Sequence, residues 1–295
     1  MLDKAAARVE SSHMTAEQDP RARVTVITGA TSGIGRATAL DLAARGDRLV
    51  CVGRSQTRGE RLRREIARAT GNRDVTLHTA DLSSVADARR VAARIAADEP
   101  AIDILINNAG AIFQHRRETH EGLEMTFALN HCGYFVIANA LMAAIAAAPM
   151  GRIVNVTSEA HRGAALDMKD LQSHRGYSGW RAYQRSKLAN ILFTRALQRR
   201  AGEVGVAAVH PGFVATRFGN NNGLMFRTVL TIAKATAISP ARAAARVLHP
   251  ARDAPVDEIR GRYFADHRAA EPSPEARDDD TAERLWARTE QIVAE

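Results

Sequence analysis

The stretch VTVITGATSGIGRATALDLAARG, residues 24–46, changes its period partway through. Residues 24–28 are a β-branched run, residues 34–46 carry apolar side chains at helical spacing, and Gly29, Gly33 and Gly35 lie between or at the join. A strand that turns into a helix through so small a loop predicts an α/β unit whose helix folds back over its strand. The alternation continues. RLVCVG (48–53), VTLHTA (75–80), IDILINN (102–108), RIVNVTS (152–158) and VGVAAVHP (204–211) read as strands, and GRYFA (261–265) as a last one. Helical patterns fall near 56–69, 83–97, 121–148 and 182–201, with an amphipathic stretch at 281–293. Short apolar strands joined by crossover helices predict a doubly wound parallel sheet covered on both faces.

Composition narrows the class. The net charge is +8, but 33 acids are interleaved with the bases, as in RGERLRREIAR (58–68), which is the pattern of a solvated helix face. No aromatic residues alternate with the basic ones and no zinc-ligand spacing appears, so neither nucleic acid nor metal is expected. Two separated cysteines make no disulfide framework, and with no secretory pattern the expected location is cytoplasmic. The most apolar run, FVIANALMAAIAAA (135–148), is short and contains Asn139, so it reads as a buried helix rather than a transmembrane segment. Residues 1–20 are polar and unpatterned, and SSHM (11–14) resembles a cloning junction. They are read as a disordered or cloning-derived leader to one domain spanning 21–295.

Within that frame a few residues carry chemistry. In TGATSGIG (28–35), Gly29 allows a tight turn, Gly33 a close backbone approach to a phosphate, and Gly35 close packing of helix on strand. Taken alone, such a loop is also an ordinary tight connection. INNAG (106–110) ends the fourth strand and is equally a polar turn, while Asn130 sits in an apolar helical stretch where an amide is often only a bonded core residue. The sharper signal is YQRSK (183–187). The chain uses 37 arginines and four lysines, and one of those lysines stands four residues after Tyr183. That spacing places both side chains on one helical face. An ammonium beside a phenol favours the phenolate, and its compact charge suits paired sugar hydroxyls better than a flat guanidinium does.

TGATSGIG, NNAG, Asn130, VNVTS and YQRSK, in this order, resemble the short-chain dehydrogenases/reductases over residues 23–268. The run from RIVNVTSEAHRG to YQRSKLANILFTRAL is similar to their retinol dehydrogenase-like branch. The resemblance implies a single Rossmann-type domain and a nicotinamide-dependent alcohol/carbonyl oxidoreductase. It implies Tyr183 as general acid/base, Ser158 polarising the substrate oxygen, Lys187 holding the ribose and lowering the Tyr183 pKa, and Asn130 supporting a water relay. Thr157, beside Ser158, is not expected to be the catalytic hydroxyl. Cofactor contacts implied are Gly29, Thr31, Ser32, Gly33, Ile34, Gly35 and Arg36 in the loop, Asp81 and Leu82 beside the adenine, and Asn107, Ala109 and Gly110 along the adenosine. Pro211, Gly212, Val214 and Thr216 would flank the nicotinamide. A dinucleotide-sensing scaffold without turnover is the alternative, and it has no need of Ser158, Tyr183, Lys187 and Asn130 together.

Where enzymes specific for NAD(H) carry an acid after the second strand, this chain reads VGRSQ (52–56). The missing carboxylate, with Arg54 and Arg36 to meet a 2′-phosphate, predicts NADP(H) over NAD(H). Residues 217–240 begin with turn formers and continue with Leu224, Met225, Phe226, Val229, Leu230 and Ile232. They read either as a helix on the rim of the sheet or as a hinged cover over a lipophilic substrate, ordered only with ligand. The apolar helices around 135–148 and after Tyr183 fit either core burial or pairing in a homo-oligomer.

Overall fold

The computed structural model describes residues 22–214 and 237–294. Thr216 and residues 217–236 of the expected cover lie outside the described residues. Among those described, Val24–Thr28 (β1), Arg48–Gly53 (β2), Val75–Thr79 (β3), Ile104–Asn107 (β4), Arg152–Val156 (β5), Gly205–His210 (β6), Tyr263–Ala265 (β7) and Arg268–Ala270 (β8) form one sheet. Its order is β3-β2-β1-β4-β5-β6-β7-β8. Every neighbouring pair runs parallel except β7 and β8. Strand order reverses between β1 and β4, so the crevice for a ligand opens at their C-terminal ends.

Side chains alternate across the sheet, and each face has its own core. Val24, Val26, Val50, Val52, Leu105, Ile153 and Val206 face one layer. Ile27, Leu49, Cys51, Ile104, Ile106, Val154 and Val209 face the other. The second layer is built by Gly33–Ala44 (α1), Gln56–Thr70 (α2) and, further along, Pro240–Leu248. The first is built by Val85–Asp98 (α3), Met125–Ala146 (α4) and Gly179–Gln198 (α5). Counting Pro240–Leu248 as α6, the closing helix Asp279–Ala294 (α7) packs along α5.

Helix α4 is long and apolar enough to cross a membrane, yet 78% of its apolar window is buried inside the fold. The expectation of a buried helix therefore holds. Within the chain α3 covers α4 and α7 covers α5. Trp286 of α7 lies 4.8 Å from the Phe135 ring and 5.9 Å from Phe193, with the Arg200 guanidinium 4.2 Å over its other side. Asp279 and Glu283 pair with Arg195, Arg199 and Arg200. Core burial thus accounts for the apolar faces of α4 and α5 within a single chain.

Three features escaped the sequence reading. Helix α6 follows a Ser239 cap that accepts from the Arg242 N–H, with Pro240 in its first turn, a start signal that was present but unused. β7 and β8 form a hairpin through Asp266 and His267, both at positive φ (52° and 62°), without the glycine that usually marks such a turn. Helix α4 contains a π-helical turn, Ala128–Cys132, and Asn130 is at its centre.

Candidate active site

The glycine loop leaves β1 at the switch point and meets the segment that leaves β4. Gly29 has φ +68°, and a Cβ there would come within 2.8 Å of the Ala109 Cα, so the position needs glycine twice over. Gly35 is equally confined, since a Cβ would meet Gly29 O and the Asn108 amide at 2.5 Å. Its constraint comes from the loop, not from packing of helix on strand as the sequence suggested. The Thr28 hydroxyl accepts from the N–H groups of Asn108 (2.9 Å) and Ala109 (3.1 Å), and Asn108 Nδ2 donates to Thr28 O at 2.9 Å. Two loops from neighbouring strands are thereby locked together. The Ser32 side chain makes no capping bond to α1, and the first turn holds no acid, so the helix N-terminus keeps its amide groups for an anion.

On the far side of the crevice stand the residues of the second motif. Ser158 follows β5 in extended backbone and caps the short turn Glu159–His161, its Oγ accepting from the Ala160 N–H at 3.2 Å. The Tyr183 hydroxyl hydrogen-bonds to Ser158 from the second turn of α5. Burial drives the Tyr183 phenol up to about 12, against the lowering effect of Ser158. Lys187, one turn on, is also buried; its Nζ donates to Val156 O at 3.0 Å and lies 5.7 Å from the Tyr183 ring and 5.8 Å from the Tyr134 ring. Burial pulls its ammonium down to about 7.

In the ligand-free chain burial is the largest influence on both side chains, and it disfavours the lysine charge as well as the phenolate. The Thr157 hydroxyl, meanwhile, is taken up by the Lys187 carbonyl at 2.7 Å.

Asn130 ties these pieces together. Its Oδ1 accepts from the Ala111 N–H and its Nδ2 donates to the Ala111 carbonyl, both at 2.9 Å, while Nδ2 also reaches the Ser186 hydroxyl at 3.0 Å. The amide therefore fastens the loop after β4 to α4 and α5, a use the sequence did not reveal. A Cβ built on Gly110 would sit 3.2 Å from Asn130 Oδ1 and 3.7 Å from Lys187 Nζ, which places NNAG directly beside the lysine.

Other expected contacts separate. Asn107 is fully buried in β4, and its Nδ2 is spent on Asn155 Oδ1 across the sheet at 3.0 Å. The group standing at the crevice is Asn108, because the last strand residue turns into the sheet and the next one leaves it. Leu82 is a core residue, whereas Asp81 is exposed and accepts from the Ser83 N–H and hydroxyl. Arg36 pairs with Glu65 of α2 (Nε to Oε2, 2.8 Å). Arg54 is exposed just past β2 with no side-chain partner among the described residues, and its chain neighbours Gly53 and Ser55 line a small hollow with Thr31, Gln56 and Thr79. No carboxylate lines that hollow. Thr31, Gly33, Ile34 and Ala109 line the loops, and Pro211, Gly212 and Val214 follow β6, with Val214 bridging to Ile238.

Two aromatic side chains stand exposed at this end of the sheet. Trp180, 51% exposed, has its ring 5.8 Å from that of Tyr183, and Phe213 follows β6 at 40% exposure.

A short-chain dehydrogenase family model matches residues 23–225. Human retinol dehydrogenase 13 is 36% identical over 279 residues, covering 92% of this chain and 84% of its own length. Human retinol dehydrogenase 12 is 38% identical, covering 90% and 84%. A crystal structure of an uncharacterized protein from Mycobacterium Paratuberculosis superposes with TM-score 0.73 at 31% identity, covering 92% and 93% of the two chains. A short-chain dehydrogenase from Sphingobium yanoikuyae in complex with NADPH gives 0.63 at 26% identity, over 77% and 83%. The chain belongs to the short-chain dehydrogenase/reductase family, in its retinol dehydrogenase-like branch, and is a nicotinamide-dependent oxidoreductase.

Proposed function

We propose that this chain interconverts a carbonyl and an alcohol on a lipophilic small molecule, using NADP(H) in preference to NAD(H). The observation that carries the reading is the Ser158–Tyr183–Lys187 cluster facing the Gly110 loop across the crevice. When bound, the nicotinamide gives a hydride to the carbonyl carbon or takes one from the alcohol carbon. The chain's residues do the rest. Ser158 donates to the substrate oxygen, Tyr183 passes its proton to that oxygen in reduction and recovers it in oxidation, and Lys187 holds the ribose hydroxyls.

The cofactor preference rests on Arg54 and on the lining of the hollow at the end of β2. An exposed guanidinium next in sequence to Gly53 and Ser55 of that lining suits a 2′-phosphate, and no acid lines the hollow to accept from a ribose hydroxyl. NADPH is expected to exceed NADH in kcat/KM, and Arg54→Ala is expected to lower the NADPH value by about 10-fold while leaving the NADH value nearly unchanged. Steady-state kinetics with both cofactors decide this, and a clear NADH preference in the parent protein would refute it.

Lipophilicity is supported by Trp180, an exposed indole whose ring lies 5.8 Å from that of the catalytic tyrosine and offers apolar surface for a ligand to cover. The relatives named retinol dehydrogenases agree. Trp180→Ala is expected to raise KM for a long-chain aldehyde by about 10-fold, as burial of roughly 50–60 Å² of apolar surface would give. A short-chain aldehyde should be little affected. Equal losses on both aldehydes, or best efficiency on short sugars or hydroxy acids, would contradict this substrate class.

A further inference from the structure

Ser158 can polarise a substrate oxygen only if its hydroxyl is aimed, and its aim is set by the turn it caps. The Ser158 carbonyl receives two bonds from His161, one from the backbone N–H at 3.1 Å and one from ring Nδ1 at 2.8 Å. On the other side of the ring, Nε2 lies 3.1 Å from the N–H of Ser273, which can only donate. Nε2 must therefore carry the lone pair and Nδ1 the proton. The imidazole is fully buried, and burial holds its pKa below the ordinary value despite the Ser158 carbonyl. Glu159 and Arg162 of the same turn, Tyr263 of β7, Glu275 and His210 are the titratable groups around it.

The rest of the turn is pinned as well. Tyr263 Oη donates to Glu159 Oε1 at 2.6 Å, the Glu159 N–H donates to His210 Nδ1 at 3.2 Å, and Arg162 Nη2 donates to Glu271 O at 2.8 Å. These bonds, however, hold the turn's flanks. His161 alone joins the carbonyl of the serine itself to the segment after β8.

We infer that His161 is a positioning residue for Ser158, a neutral imidazole whose Nδ1–H fixes the serine hydroxyl by donating to its carbonyl, with the Ser273 backbone N–H setting the tautomer. The inference rests on the reading that Ser158 polarises the substrate oxygen. A rigid ring with a donor on one side and an acceptor on the other fits the gap, and no other standard side-chain ring carries the two on separate nitrogens.

Two variants separate the two bonds. His161→Asn places an amide N–H near Nδ1 and keeps the bond to Ser158, while His161→Gln places an oxygen near Nε2 and keeps only the bond to Ser273. The expected result is a kcat loss of about 10- to 100-fold in His161→Gln, with KM and cofactor affinity unchanged. His161→Asn should stay within about 3-fold of the parent, even where both variants lose similar thermal stability.

A purely structural histidine would make kcat follow the melting temperature in both variants alike, and that outcome overturns the inference. So does parental kcat in His161→Gln while Ser158→Ala is inactive. If Ser158→Ala itself keeps parental turnover, the functional reading fails and this inference with it. Should the variants not fold, nitrogen-15 shifts of the parent still decide. A Nδ1–H neutral ring at pH 7 is required, and a Nε2–H tautomer or an imidazolium overturns the proposal.

Discussion

Lys187→Met is expected to abolish turnover and, at pH 7, to make the ligand-free protein melt at a higher temperature. Both effects come from one buried ammonium. A fall from the ordinary 10.5 to about 7 corresponds to roughly 5 kcal/mol of burial cost for the charged form. Against this, the variant loses the bond from Nζ to Val156 O, whose carbonyl keeps only a long 3.5 Å contact from the Tyr134 hydroxyl. Leaving that carbonyl poorly bonded costs about 1–3 kcal/mol. The difference leaves the variant ahead by about 2–4 kcal/mol, a gain of the kind obtained when a functional charge is removed from a core.

The sign of the pH dependence follows. Below about pH 7 the lysine is charged in both folded and unfolded states, so the folded protein bears the full cost. Between about 7 and 10.5 the unfolded chain still binds the proton while the folded one has released it, so parental stability rises with pH. The advantage of Lys187→Met should be largest at and below pH 7 and should shrink toward pH 10.5. Thermal melts of both proteins across that range test it, and a variant that melts lower at pH 7 contradicts the burial account.

Much of this site is legible because its parts are local. The Tyr183–Lys187 pair needs only helical spacing, the glycine loop only a change of period, and the scarcity of lysine singles out position 187. What was not legible depends on contacts distant in sequence. The bond between His161 and Ser273 spans 112 residues, and neither VTSEAH nor EPSPEAR announces it. Asn107 and Asn108 are indistinguishable in INNAG, because one residue decides which side chain stays in the sheet and which leaves it. The burial that raises Tyr183 and lowers Lys187 is likewise a matter of packing, which no spacing reports. Arg36 and Arg54 looked alike in sequence, and only the packing of α1 against α2 gives one of them a glutamate. The π-helical turn at Asn130 and the hairpin at Asp266 and His267 are backbone choices that composition does not favour.

Tyr183→Phe is the second large effect, and it bears on the central claim that this phenol passes the proton. The substitution keeps the ring beside Trp180 and Lys187 and removes only the hydroxyl bonded to Ser158. With the phenol held up to about 12, carbonyl reduction in the parent should keep its rate through neutral pH, while alcohol oxidation, which needs the phenolate, should rise with pH. The direct measurement is a single turnover: reduced cofactor is bound to parent and variant, affinity is read by fluorescence, and loss of the reduced-nicotinamide absorbance is followed after mixing with a long-chain aldehyde. The expected result is near-parental cofactor affinity with hydride transfer slowed by about two to four orders of magnitude. A folded Tyr183→Phe protein that binds the cofactor and transfers hydride at the parental rate would contradict the assignment.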